Sequence, residues 1–105
     1  MKLIGLCDQD TAIALRLGGL HEVYVPKDNL ISLWNNITER TDVGIVFITE
    51  QLVEELGNHL NDYRIRETLP LVIELPDKKG RKKDHVDYIS HLIKKAVGVE
   101  VHKER

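Results

Sequence analysis

Three acidic residues give the chain its first candidate chemistry: Asp8, Asp10 and Glu50. Each follows an apolar run that reads as a strand. In an open α/β sheet, ligands bind at the carboxyl edge of the strands. Carboxylates gathered there suit a hard cation such as Mg²⁺. A receiver-like signalling domain would use them so, but it also needs an aspartate at the end of its third strand. Here that strand ends Ile48-Thr49-Glu50. The competing reading of Asp10, Thr11 and Thr49 is helix capping, since their oxygens accept orphan backbone N–H groups. Capping is the stronger reading.

Other candidates are weaker. Gly18-Gly19 follows a helix pattern rather than linking strand to helix, and no phosphate-loop spacing occurs. The five histidines, His21, His59, His85, His91 and His102, lack metal-ligand spacing. Cys7 is the only cysteine and closes an apolar run, so it reads as a small buried hydrophobe. No serine or cysteine has the glycine pattern of a nucleophile elbow. The expectation is therefore no catalytic residue, no metal and no cofactor. Lys78, Lys79, Arg81, Lys82 and Lys83 form a basic run without aromatic residues to stack on bases. It reads as a solvated linker, or as a surface that steers the chain toward an acidic protein. No nucleic-acid partner is expected.

The elements that would carry these residues alternate between strand and helix. Leu3 to Cys7 is a continuous apolar run, as for a strand covered on both faces. The helix after it carries Ala12, Ile13 and Leu17 and ends at Gly18-Gly19. Glu22 to Val25 is a second strand, stopped by Pro26. Asp28 is expected to cap a second helix, with Leu30, Trp34 and Ile37 on one buried stripe. Val43 to Ile48 is the clearest strand. Thr49 then starts a third helix, with Leu52, Val53, Leu56, Leu60 and Tyr63 along one face. Leu69 to Leu75 is a fourth strand with Pro70 at its start.

This order implies right-handed crossovers and a parallel sheet. The predicted fold is α/β: a small open parallel four-stranded sheet, order 2-1-3-4, flanked by helices, receiver- or Rossmann-like. The chain has 105 residues, 42% of them apolar, and a net charge of -2. That is one soluble domain with no overall drive toward nucleic acid or acidic lipid. No run suffices to span a bilayer or to act as a secretory signal. A cytoplasmic protein is expected.

Composition shifts after Pro76. Residues 1–76 read as the α/β domain, 77–84 as a charged linker with five basic and two acidic residues, and 85–105 as a C-terminal amphipathic helix and tail. Val86, Ile89, Ile93 and Val97 make the stripe of that helix. Pattern alone allows two fates: it packs back on the sheet, or it leaves and docks on another polypeptide.

Three segments, in order, carry a resemblance. They are Cys7-Asp8-Gln9-Asp10-Thr11 running into Leu15-Arg16-Leu17-Gly18-Gly19, then Asp42 to Glu50, then Leu69 to Pro76. The chain resembles the F subunit of archaeal-type (A/V-type) rotary ATPases over almost its whole length. Cys7 and Leu15 depart from residues common in that family, glycine and an aromatic respectively. The resemblance implies a non-catalytic component of the central stalk that binds the coiled-coil D subunit and turns within the A and B subunits. ATP chemistry would then belong to A and B, and the membrane would be met only through the complex. It also implies a mobile C-terminal helix, here about Asp84 to Gly98, with Val86, Ile89, Ile93 and Val97 as its contact stripe.

Overall fold

All four apolar runs are strands in the computed structural model, which describes residues 1–67, 69–76, 90, 91, 93–95 and 97. In chain order the elements are β1 (Lys2–Leu6), α1 (Gln9–Leu17), β2 (Glu22–Tyr24), α2 (Leu30–Glu39), β3 (Val43–Thr49), α3 (Glu50–Leu56), α4 (Asn58–Arg66) and β4 (Leu71–Leu75). The strands form one parallel sheet in the predicted order, β2-β1-β3-β4. The expected linker, 77–84, lies outside the described residues. Residues 90, 91, 93–95 and 97 are helical.

Alternation along the strands splits the core into two layers. On one face, Ile4, Leu6, Val46 and Ile48 meet Leu30, Trp34 and Ile37 of α2 and Leu56, Leu60 and Tyr63 of α3 and α4. The α2 stripe is as expected. Trp34 and Tyr63 pack edge to face with ring centroids 5.4 Å apart. The Tyr63 hydroxyl donates to the Pro70 carbonyl at 2.7 Å, so its buried polar tip is satisfied. On the other face, Cys7, Phe47 and Leu75 meet Ala12, Ala14 and Leu15 of α1, together with Ile93.

Several local expectations are corrected. Asp8, not Asp10 or Thr11, caps α1: it accepts from the Thr11 N–H at 3.3 Å and from the Thr11 hydroxyl at 2.6 Å. Asn29, not Asp28, stands before α2, and its side chain accepts instead from the Lys27 N–H. Thr49 precedes α3 without a side-chain capping bond. The expected third helix is two helices, broken at Gly57. Gly57 has φ 51° and ψ −121°, which a side chain would strain. Val25 lies beyond β2.

The apolar stripe expected on α1 is also corrected. Ile13 and Leu17 are exposed, at 48% and 64%, while Thr11, Ala12, Ala14 and Leu15 are buried. The reason is close approach. A Cβ on Gly5 would lie 2.5 Å from Leu15 Cδ1 and 3.2 Å from Leu20 Cδ2. The missing side chain at Gly5 leaves the room that Leu15 of α1 fills.

The amino edge of the sheet carries a network of ions. Arg40 donates to Glu22 at 2.7 and 3.1 Å and to Asp42 at 2.8 and 2.9 Å. Lys2 stands 3.6 Å from both carboxylates. The guanidinium links the starts of β2 and β3 across β1. Its hydrogen bonds, helped by the Tyr24 hydroxyl, lower Glu22 from 4.5 to about 2, and they lower Asp42 from 3.8 to about 2. Folded values below the unfolded ones mean stability present above the ordinary carboxylate range and lost as pH falls toward 2. We expect the urea midpoint to drop between about pH 4.5 and pH 2. Arg40→Met should flatten that decline. An equal slope in the variant would show that other carboxylates govern it.

Candidate partner-binding site

Of the four residues expected to meet a partner, the structure describes two. Val86 and Ile89 lie outside the described residues. Ile93 is 0% exposed and packs with Leu15, Phe47 and Leu75. Val97 is half-buried against the same cluster. In this conformation Ile93 is covered by the chain's own α/β domain and Val97 only in part. Another polypeptide can reach Ile93 only when the helix leaves.

The seat is built at the end of α1. Gly18 closes that helix through its N–H, which donates to the Ala14 carbonyl. A Cβ on Gly18 would lie 2.7 Å from Ile93 Cβ and 3.0 Å from the Ser90 carbonyl oxygen. At Gly19 a Cβ would meet Val97 Cγ2 at 3.6 Å. The glycine pair therefore does more than end α1, because it lets the C-terminal helix cross that end with its backbone close. The sequence carried this signal as Gly18-Gly19, but which element crosses there is a tertiary matter. Among the described residues of the same helix, His91, Lys94 and Lys95 face solvent while Ile93 is covered.

At the carboxyl edge of the sheet the described acidic residues sit at the starts of α1 and α3. Asp8 is engaged in capping, and β3 ends at Thr49 with Glu50 opening α3. Among the described residues, no group of three or more His, Cys, Asp and Glu side chains could hold a metal ion. His21, His59 and His91 are among them, whereas His85 and His102 are outside. Burial, reinforced by the neighbouring Asp8 carboxylate, pushes the Cys7 thiol up to about 12. It stays protonated at neutral pH and packs as a hydrophobe. No helix among the described residues is long and apolar enough to cross a membrane.

Sequence reasoning missed two apolar surfaces. One is the exposed pair Ile13 and Leu17 on α1. The other lies at the β4 edge, where Tyr63, Pro70, Leu71 and Val72 line a cleft of about 280 Å³ beside Arg64 and Glu67. Leu69 and Leu71 are exposed there.

Known proteins share this sequence plan. A family model described as ATP synthase (F/14-kDa) subunit matches residues 3–93, a span that includes Ile93. The F subunit of the A-type ATP synthase of Thermococcus onnurineus (strain NA1) is 36% identical over 107 residues, covering 96% of this chain and 98% of that protein. The corresponding F subunit of Methanothermobacter thermautotrophicus is 35% identical over 99 residues, covering 91% and 92%. That of Methanocaldococcus jannaschii is 31% identical over 103 residues, covering 96% and 99%.

Proposed function

Because this chain belongs to the family described as ATP synthase (F/14-kDa) subunit, we propose that it is a non-catalytic rotor component in the central stalk of an A-type rotary ATP synthase. In this reading it binds the coiled-coil D subunit and turns with it inside the ring of A and B subunits. It helps couple ATP synthesis or hydrolysis to ion transport, and it meets the membrane only through the complex, on the cytoplasmic side. The α/β domain is a rigid body. The C-terminal helix, with Val86, Ile89, Ile93 and Val97, is the segment that exchanges its seat for a partner.

One observation supports this most directly: the described part of the stripe, Ile93 and Val97, rests where Gly18 and Gly19 end α1. A helix seated on apolar contact can be displaced by a partner that offers comparable burial. The partner shifts the balance only by its differential affinity for the two states.

The test is reconstitution. Tagged chain should recover A, B and D in fixed ratio from a native source. Burying an isoleucine contributes about 1.5–3 kcal/mol. Ile89→Asp combined with Ile93→Asp should therefore weaken assembly roughly tenfold or more, or change the ATPase rate of the complex. Full recovery with unchanged ATPase and coupling would remove the proposed role of the stripe. Absence of A, B and D would remove the rotor reading itself.

A further inference from the structure

The two edges of the sheet are finished differently. β2 is three residues long, and its Glu22 is tied to Arg40 and Lys2. Short length and charge are what keep an edge strand from pairing with other chains. The opposite edge, β4, has five residues, Leu71-Val72-Ile73-Glu74-Leu75, with neither proline nor lysine. It pairs with β3 on one side, and among the described residues no strand pairs with the other. Leu71 is 53% exposed.

We propose that this edge joins two copies of the chain, β4 against β4, antiparallel about a two-fold axis through Ile73. A two-fold interface must be complementary to itself, and β4 meets that condition in one register. With Ile73 opposite Ile73 of the second copy, Leu71 faces Leu75 and Val72 faces Glu74, so all five residues pair. A register centred on Val72 would bring in Pro70, which has no N–H to donate. One centred on Glu74 would set two carboxylates opposite each other, which is destabilising.

The charges favour the same register. Arg64 of α4 reaches Glu74 of its own chain at 3.3 Å and lines the same cleft as Val72. Facing residues in an antiparallel pair have Cβ atoms about 4.5–5.5 Å apart. Glu74 of the second copy, opposite Val72, therefore comes within reach of Arg64. Each Arg64 then stands between two carboxylates, twice over by symmetry. The axis is perpendicular to the sheet, so Val72 and Glu74 of both copies share the α4 face. The contact is small, as in weak and transient pairs. It is a form of the free chain and does not depend on the rotor reading.

The test is sedimentation of the full chain from about 10 μM to about 1 mM, the range in which weak pairs form. A rise from monomer toward dimer is expected. Leu71→Lys places a charge on an already exposed edge position and should weaken the dimer at least roughly tenfold. Arg64→Glu should also weaken it, and Arg64→Glu with Glu74→Arg should restore it. A monomer throughout, a dimer indifferent to Leu71→Lys, or no rescue by the double reversal would each overturn the proposal. Failure here leaves the co-purification result untouched.

Discussion

Ile93→Asp is expected to release the C-terminal helix from the α/β domain while the sheet stays folded. Ile93 is fully buried beside Leu15, Phe47 and Leu75. The described members of that cluster are apolar and give an aspartate no partner. A lone buried carboxylate costs several kcal/mol, and the helix can avoid that cost by detaching. Detachment also forfeits the isoleucine's own burial, about 1.5–3 kcal/mol. The layer around Trp34 on the opposite face keeps its contacts, so the domain should survive. Amide exchange at residues 90–97 should accelerate by about a hundredfold or more, corresponding to about 3 kcal/mol, with β1 and β3 little changed.

Gly18→Val approaches the same contact from the other partner. Gly18 has φ −78°, so a side chain there brings no backbone strain. Its effect is steric: a Cβ would stand 2.7 Å from that of Ile93. It should speed exchange in the same helix. If Ile93→Asp unfolded the whole chain, the helix would be an integral part of the domain rather than a separable one. If neither variant changed exchange, the seat at Gly18 would not hold the helix.

Trp34→Ala should be the most damaging single change in the other layer. Trp34 is 2% exposed and meets both sheet and α4. Truncating a buried tryptophan typically costs about 3–5 kcal/mol, because the cavity refills only in part. Losing the edge-to-face contact with Tyr63 adds about 0.5–1.5 kcal/mol. Against the roughly 5–15 kcal/mol that holds a domain together, this leaves the fold marginal. Thermal unfolding should show a lower midpoint and a weaker cooperative transition. Trp34→Phe should recover most of the loss, and a wild-type midpoint for Trp34→Ala would refute this assignment of the core.

Much of the architecture was legible because period and punctuation agreed. Strands β1, β3 and β4 are apolar runs closed by Asp8, Thr49 and Pro76. The stripe Leu30, Trp34 and Ile37 has only one helical reading. Gly57 was legible in principle and was passed over, because Leu60 and Tyr63 continue the apolar spacing of Leu52, Val53 and Leu56 across it. Periodicity survives a break when the next helix resumes on the same face. On α1 the opposite happened. Ile13 and Leu17 are exposed while Ala12, Ala14 and Leu15 are buried, and it is Leu15 that fills the space over Gly5.

The sequence by itself determined the alternation of strands and helices, the parallel order 2-1-3-4, and an apolar stripe on the last helix. These follow from local patterns and from the handedness of crossovers. Where that stripe rests was a tertiary decision. Ile93 enters the core because Gly18, 75 residues away in the chain, leaves room for a helix to cross α1. Such a fit between surfaces has no signature in the spacing of either segment alone.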